Sequence, residues 1–419
     1  MTPRKMTPRE RVYAAANFQE PDRVPISFSG APATGITECP PDGLVCSKLY
    51  EYLGLTDAEP VQISAMSNQV TNLDDRVIQR LHSDMYRLEP NLPAPITEPD
   101  GTKTWPWFCG MRIKKTGYYD DPFDFPMRNM TTKKDIDEYP WPDLNINIMD
   151  GVVERAKYLH EETDYFVVGR CMASFLPFLG YAMLSGIDKW LIDMKMRPKF
   201  YHQLSEKLLE VGLAYNNQFY EAVGKYLDGT TIYDDLGTQV GPMMSHDDYV
   251  EFFKPYTAEI IKNIRKHVRP EAKIILHSCG SVYFAIPDFI EIGVDILNPL
   301  QPLAHNMEPW RLKKEFGGKI AFLGGFDIQR LLPLGTVDEI REGIKKLIQE
   351  YAHDGGYIFA PSHNIEPDSP PENIVAAFDA AYEFGRYPLP KPEPVGEGYV
   401  DFIKGLNLQE RELGVKPVQ

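Results

Sequence analysis

Eight short runs rich in Ile, Val, Phe and Tyr recur along the chain, and amphipathic stretches follow most of them. They are VPISFS (24–29), DMYRLEP (84–90), FVVGRC (166–171), TTIYDDLG (230–237), KIILHSCG (273–280), VDILNPL (294–300), KIAFLGG (319–325) and YIFAPSHN (357–364). Several are nearly continuous apolar segments, as strands buried on both faces must be. Residues 198–225, 247–267, 337–353 and 371–384 read as amphipathic helices. Strand–helix alternation demands a parallel sheet, because each return crossover is a helix laid across a sheet face. Eight such units predict the α/β class and a (β/α)8 TIM barrel, with a doubly wound open sheet as the rival. The units run from Val24 to Asn364 and leave no room for a second core, so residues 1–419 read as one domain.

The stretch 91–146 departs from this pattern. Its PITEPDGTKTWPWFCGMRIKKTGYYDDPFDFP reads as a β-hairpin, with Asp100-Gly101 near the first turn, inserted after strand 2 at the barrel's C-terminal rim. Trp105, Trp107 and Phe108 are candidates for covering a substrate there, or for packing the hairpin onto the barrel. Residues 388–419 read as a proline-bearing tail with one short helix.

Charge narrows the partners. Sixty acidic against 44 basic residues leave a net charge of −16, which argues against nucleic acid, since phosphate binding needs clustered Lys and Arg. Five scattered cysteines suggest no disulfide framework and a reducing cytoplasm. The N-terminus has no apolar signal core, and the longest uncharged run, Cys171 to Ile187, is shorter than a membrane span. A cytoplasmic protein without a membrane partner is expected.

Polar residues gather where the apolar runs end. In IILHSCG, His277 and Cys279 are two residues apart on a strand and therefore point the same way. Imidazole plus thiolate on one side suits zinc, although a buried Cys beside a hydrogen-bonded His is the plainer alternative. His363 stands at the matching place after the last run, with Ser362, Asn364 and Asp368 on the same loop. Asp234 and Asp235 close the fourth run, and alternation lets only one of them face inward. Gln301 and Asp327 close the sixth and seventh, Asp327 doubling as a candidate helix N-cap. Asp234, Asp235 and Asp327 are the catalytic candidates, and Gln301 and Asn364 join the two tryptophans as substrate-binding candidates. Polar residues at five strand ends point to an enzyme. No glycine-rich phosphate loop, nucleophile elbow or HExxH appears, which sets nucleotide and serine-hydrolase chemistry aside.

These residues, with TPRERVYAAANFQEPDRVPI, GVDILNPLQP, GGKIAFLGGFDIQRLL and GGYIFAPSHNIEPDSPPENI, give a chain that resembles the uroporphyrinogen decarboxylase superfamily. The resemblance implies a (β/α)8 barrel and offers two chemistries. Decarboxylases of that superfamily carry an arginine-rich segment after the first strand that grips substrate carboxylates; here the place reads SFSGAPATGITECPP, without arginine. The other branch comprises cobalamin-dependent methyltransferases, whose coenzyme M members hold zinc through H-x-C and a cysteine on the last strand. His277 and Cys279 match the first half, and His363 stands where that cysteine would be. The resemblance therefore implies zinc on His277, Cys279 and His363, and a corrinoid carried by a separate partner protein. The favoured reaction is O-demethylation of a small methoxylated methyl donor, with a methoxyaromatic as the favoured class. Methyl transfer from a methylcobamide to a thiol of the coenzyme M type, and decarboxylation, are the alternatives; a homodimer is the family's habit.

Overall fold

The computed structural model describes residues 4–31, 33–37, 45–58, 62–63, 70–116, 120–170, 177–390 and 398–408. Cys171 and the residues 38–44, 59–61 and 64–69 therefore lie outside the described residues. Seven parallel strands form one curled sheet in chain order: β1 (Met85–Leu88), β2 (Phe166–Arg170), β3 (Gly229–Tyr233), β4 (Lys273–His277), β5 (Ile296–Asn298), β6 (Ala321–Phe326) and β7 (Tyr357–Pro361). Each coincides with one of the apolar runs from the second onward, β3 starting one residue before its run and β6 ending one residue after.

The first run lies between the two edges of this sheet. Ser27 N–H donates to Phe359 O and Phe359 N–H to Pro25 O, both at 2.8 Å, while Asp84 N–H donates to Ile26 O at 2.7 Å. A buried ion cluster fixes this segment: the Asp84 carboxylate accepts the Ile26 N–H at 2.8 Å and pairs with Arg11 at 2.5 Å and Arg23 at 2.8 Å. Breaking one partner of such a buried pair costs about 3–5 kcal/mol. The result is a TIM-barrel-like α/β fold.

Inside the sheet, Met85, Phe166, Val168, Ile275, Ile296, Ala321, Leu323, Ile358 and Ala360 form one apolar layer. The helix Pro8–Ala16, started by a Thr7–Glu10 capping box, adds Val12, Ala15 and Ala16 to it. Its Ala15 O accepts the Gly356 N–H and its Arg9 N–H reaches Asp164 O, just before β7 and β2 begin. That end of the barrel is plugged, so the carboxyl ends of the strands form the mouth.

Outer helices run Pro198–Val223, Val337–Tyr351 and Pro371–Phe384, close to their expected spans. The helix expected over 247–267 is instead two, His246–Phe252 and Lys254–Arg265. Pro255 has no N–H to return to Glu251, and its ring breaks the turn there. In the insertion, Ile96–Thr97, Lys103–Trp105, Met111–Lys115 and Asp120–Pro122 make a four-stranded antiparallel sheet rather than a single hairpin. In the tail, Tyr399–Gly405 is helical, with Tyr399 and Ile403 buried. Among the described residues, no helix is long and apolar enough to cross a membrane.

Candidate active site

Strand register decides which side chains reach the mouth. Paired residues of a parallel sheet point to the same face, and Ile275 pairs with Ile296 inside the barrel. Two residues on, His277 pairs with Tyr233 on one side and Asn298 on the other, so all three project inward above the apolar layer. His277 Nδ1 lies 2.6 Å from Asn298 Oδ1, and Asn298 Nδ2 donates to Leu323 O at 3.2 Å. The amide is therefore held with its oxygen toward the ring. Nδ1 donates to that oxygen, which leaves Nε2 facing the mouth.

Cys279 Sγ lies 3.4 Å from that Nε2. Gly280 ends the turn at φ +74°, and a Cβ there would meet Gly237 backbone at 2.5 Å; the loops after β3 and β4 can touch only because both positions are glycine. His363 arrives from the loop after β7, its ring centroid 5.7 Å from that of His277. One ligand atom each from His277, Cys279 and His363 lies within 4.8 Å of the others. Burial pushes the His363 imidazole down to about 4, with the neighbouring His277 adding to the effect, so it is neutral as a ligand must be. Burial, with the Asp235 charge next, pushes the Cys279 thiol well up. Two imidazoles, that of His277 tied through Nδ1 to Asn298, beside a thiol that needs a cation to ionise form a donor set that fits zinc.

The aspartates divide as alternation requires. Asp235 faces the cluster: its Oδ1 accepts the Cys279 N–H at 2.8 Å and lies 3.9 Å from His277 Nε2. Asp234 is buried on the helix side, where its charge adds to the burial that raises the Tyr201 and Tyr249 phenols. Gln301 is part of the rim, its Oε1 accepting from Gly280 N–H at 2.9 Å and Gln239 Nε2 at 2.6 Å. Asn364 Oδ1 accepts the Gly35 N–H at 3.2 Å, tying its loop to the first segment.

Three candidates sit elsewhere. Asp327 is buried and its Oδ1 accepts the N–H groups of Arg330 (2.8 Å) and Leu331 (2.7 Å), so it caps a turn. Trp105 and Trp107 are almost fully buried; Trp107 donates to Pro93 O at 3.1 Å and packs edge-on against Tyr215 of the helix Pro198–Val223. They fasten the antiparallel sheet to that helix.

A model of the uroporphyrinogen decarboxylase (URO-D) family matches residues 124–384. The chain belongs to the URO-D family. Curated relatives named uroporphyrinogen decarboxylase include one from Vesicomyosocius okutanii, 25% identical over 63% of this chain and 72% of its own length. Another, from Chlorobium phaeobacteroides, is 28% identical over 57% of this chain and 66% of its own. A structure described as a methyltransferase from Methanosarcina mazei shares the fold, with a TM-score of 0.62 at 19% identity over 91% of this chain and 99% of that one.

On this URO-D framework the mouth holds functional candidates that sequence patterning missed. Asn298 and Tyr233 looked like ordinary strand residues, and only the cross-strand register brings them to His277. Arg87, Glu89 and Arg170 also line the mouth. Their two-residue spacing from Met85 and Val168 was the available signal.

Proposed function

We propose that this chain is a corrinoid-dependent methyltransferase that takes the methyl group from a small methoxylated compound, a methoxyaromatic being the favoured class, and delivers it to Co(I) on a separate corrinoid protein. The observation that carries this reading is the His277–Cys279–His363 cluster inside the mouth. His277, Cys279 and His363 would hold zinc there, and it would supply a Lewis-acid charge for the ether oxygen. Asn298 keeps His277 in the ligand tautomer, and Asp235 anchors the Cys279 backbone. As the methyl carbon bonds to Co(I) the C–O bond breaks, its electron pair stays on oxygen, and solvent protonates the released oxyanion, while Asp235 holds the Cys279 backbone beside it. The barrel holds the methyl in line and excludes water.

Decarboxylation is the second reading, favoured by the names of the curated relatives. Against it stands the stretch 27–41, which offers no arginine to clamp a polycarboxylate. The experiment is anaerobic methyl transfer from a panel of methoxyaromatics to Co(I) corrinoid, followed by the cobalt absorption, beside an assay of carbon dioxide release. Cobalt methylation that disappears in His277→Ala supports the proposal. Carbon dioxide release without any cobalt methylation replaces it with the second reading.

A further inference from the structure

Arg87, Glu89 and Arg170 form a charged group in the mouth that the reaction above leaves unused. Register aims it inward: Arg87 pairs with the interior Val168, and Arg170 follows two residues later. Glu89 Oε1 lies 3.1 Å from Arg87 Nε and 3.2 Å from Arg170 Nη1. Glu89 thus bridges the two guanidinium groups. The Arg87 side chain is only 4% exposed. Its Nη2 donates to Val70 O at 3.2 Å, yet its Nη1 is buried without a hydrogen-bond partner. A buried donor left in that state costs about 1–3 kcal/mol, more when charged, so the group lacks one acceptor.

Arg170 Cζ lies 5.6 Å from the Tyr233 ring centroid, and that centroid is 5.5 Å from the His277 ring. One aromatic side chain therefore spans the distance from the arginines to the His–Cys–His cluster. A substrate of a single substituted ring can reach both.

We infer that Arg87 and Arg170 form a carboxylate subsite, and that the substrate class is a methoxylated carboxylic acid with its acid and ether groups at opposite ends of one ring. This rests on the reading that the ether reacts at the cluster. Arg87 Nη1 supplies the donor that meets the carboxylate, as charge-assisted guanidinium bonds do. Glu89 holds the two guanidinium groups in place.

Calorimetric titration of zinc-loaded protein without corrinoid, using 4-methoxybenzoate and 4-methoxybenzyl alcohol, tests the subsite. Wild type is expected to bind the acid at least ~10-fold more tightly than the alcohol, the scale of one charge-assisted bond. Arg87→Gln should remove that preference, and Arg87→Lys, which keeps the charge without the fork, should restore part of it. Equal affinities in the wild type overturn the inference whether or not the variants fold, as does an unchanged preference in a folded Arg87→Gln. Acid preference without methyl transfer supports the subsite while removing the methyltransferase reading. Methyl transfer from neutral ethers without acid preference overturns the subsite alone.

Discussion

Replacing Asn298 with Ala tests whether His277 is held as a ligand. Asn298 is fully buried, and its amide makes two bonds, one to His277 Nδ1 at 2.6 Å and one to Leu323 O at 3.2 Å. Truncation leaves a buried imidazole N–H and a buried carbonyl without these partners, at roughly 1–3 kcal/mol for each group. It also frees the ring to turn and to exchange tautomers, so that Nε2 no longer faces Cys279 in one state. Loss of such an outer partner typically lowers metal affinity by about 10–100-fold. Competition against a chromophoric zinc chelator should show that decrease in Asn298→Ala, together with a lower melting temperature. Asn298→Asp keeps the acceptor and makes it anionic, and should retain or strengthen zinc binding. Wild-type zinc affinity in a folded Asn298→Ala would refute the assignment of His277 as an oriented ligand.

Asp327→Ala is expected to destabilise the fold by about 1–3 kcal/mol, the cost of orphaning the buried Leu331 N–H and the part-buried Arg330 N–H, without changing zinc stoichiometry. Denaturant unfolding and metal analysis check this, and an unstable variant that also loses its metal would return Asp327 to the site. Lys313 gives a pH signature: burial holds its ammonium pKa down to about 8, although Nζ donates to Gly355 O at 2.7 Å. The unfolded chain, with an ordinary lysine near about 10.4, binds more protons between these values, so this residue makes stability rise as pH climbs through that window. Urea unfolding from pH 7.5 to 10 should show the Lys313→Met variant lacking that rise relative to wild type.

Much of the architecture is legible because buried parallel strands need continuous apolar runs, and those runs are unmistakable from β1 to β7. Two features of the fold escaped patterning. Pro255 splits one helix where amphipathic periodicity runs straight through, and the antiparallel sheet's later strands, such as Asp120–Pro122, carry no apolar alternation. At the site, His277 and Cys279 were readable because a spacing of two on a strand fixes their common face. Which of Asp234 and Asp235 turned inward needed the actual strand end. Trp105 and Trp107 show the limit of residue type alone, since an aromatic beside a mouth and an aromatic in a core have the same sequence appearance. Arg87 and Glu89 were overlooked for the opposite reason: charged residues in line with an interior position such as Met85 run against the pattern, and the pairing of Arg87 with Val168 confirms that they face the cavity.

The closing contact of the barrel, Ile26 against Phe359, joins positions from nearly opposite ends of the chain. A nascent polypeptide cannot complete the ring until β7 has left the ribosome, whatever the earlier strands have already formed. His363 emerges just after that strand, so the three-residue cluster is also among the last features assembled. Contacts of such sequence separation carry a large loop-closure entropy and slow the final step of folding. Until then the unpaired edges of β1 and β7 stay open to other chains, which makes the interval before closure the period of greatest exposure to misassembly.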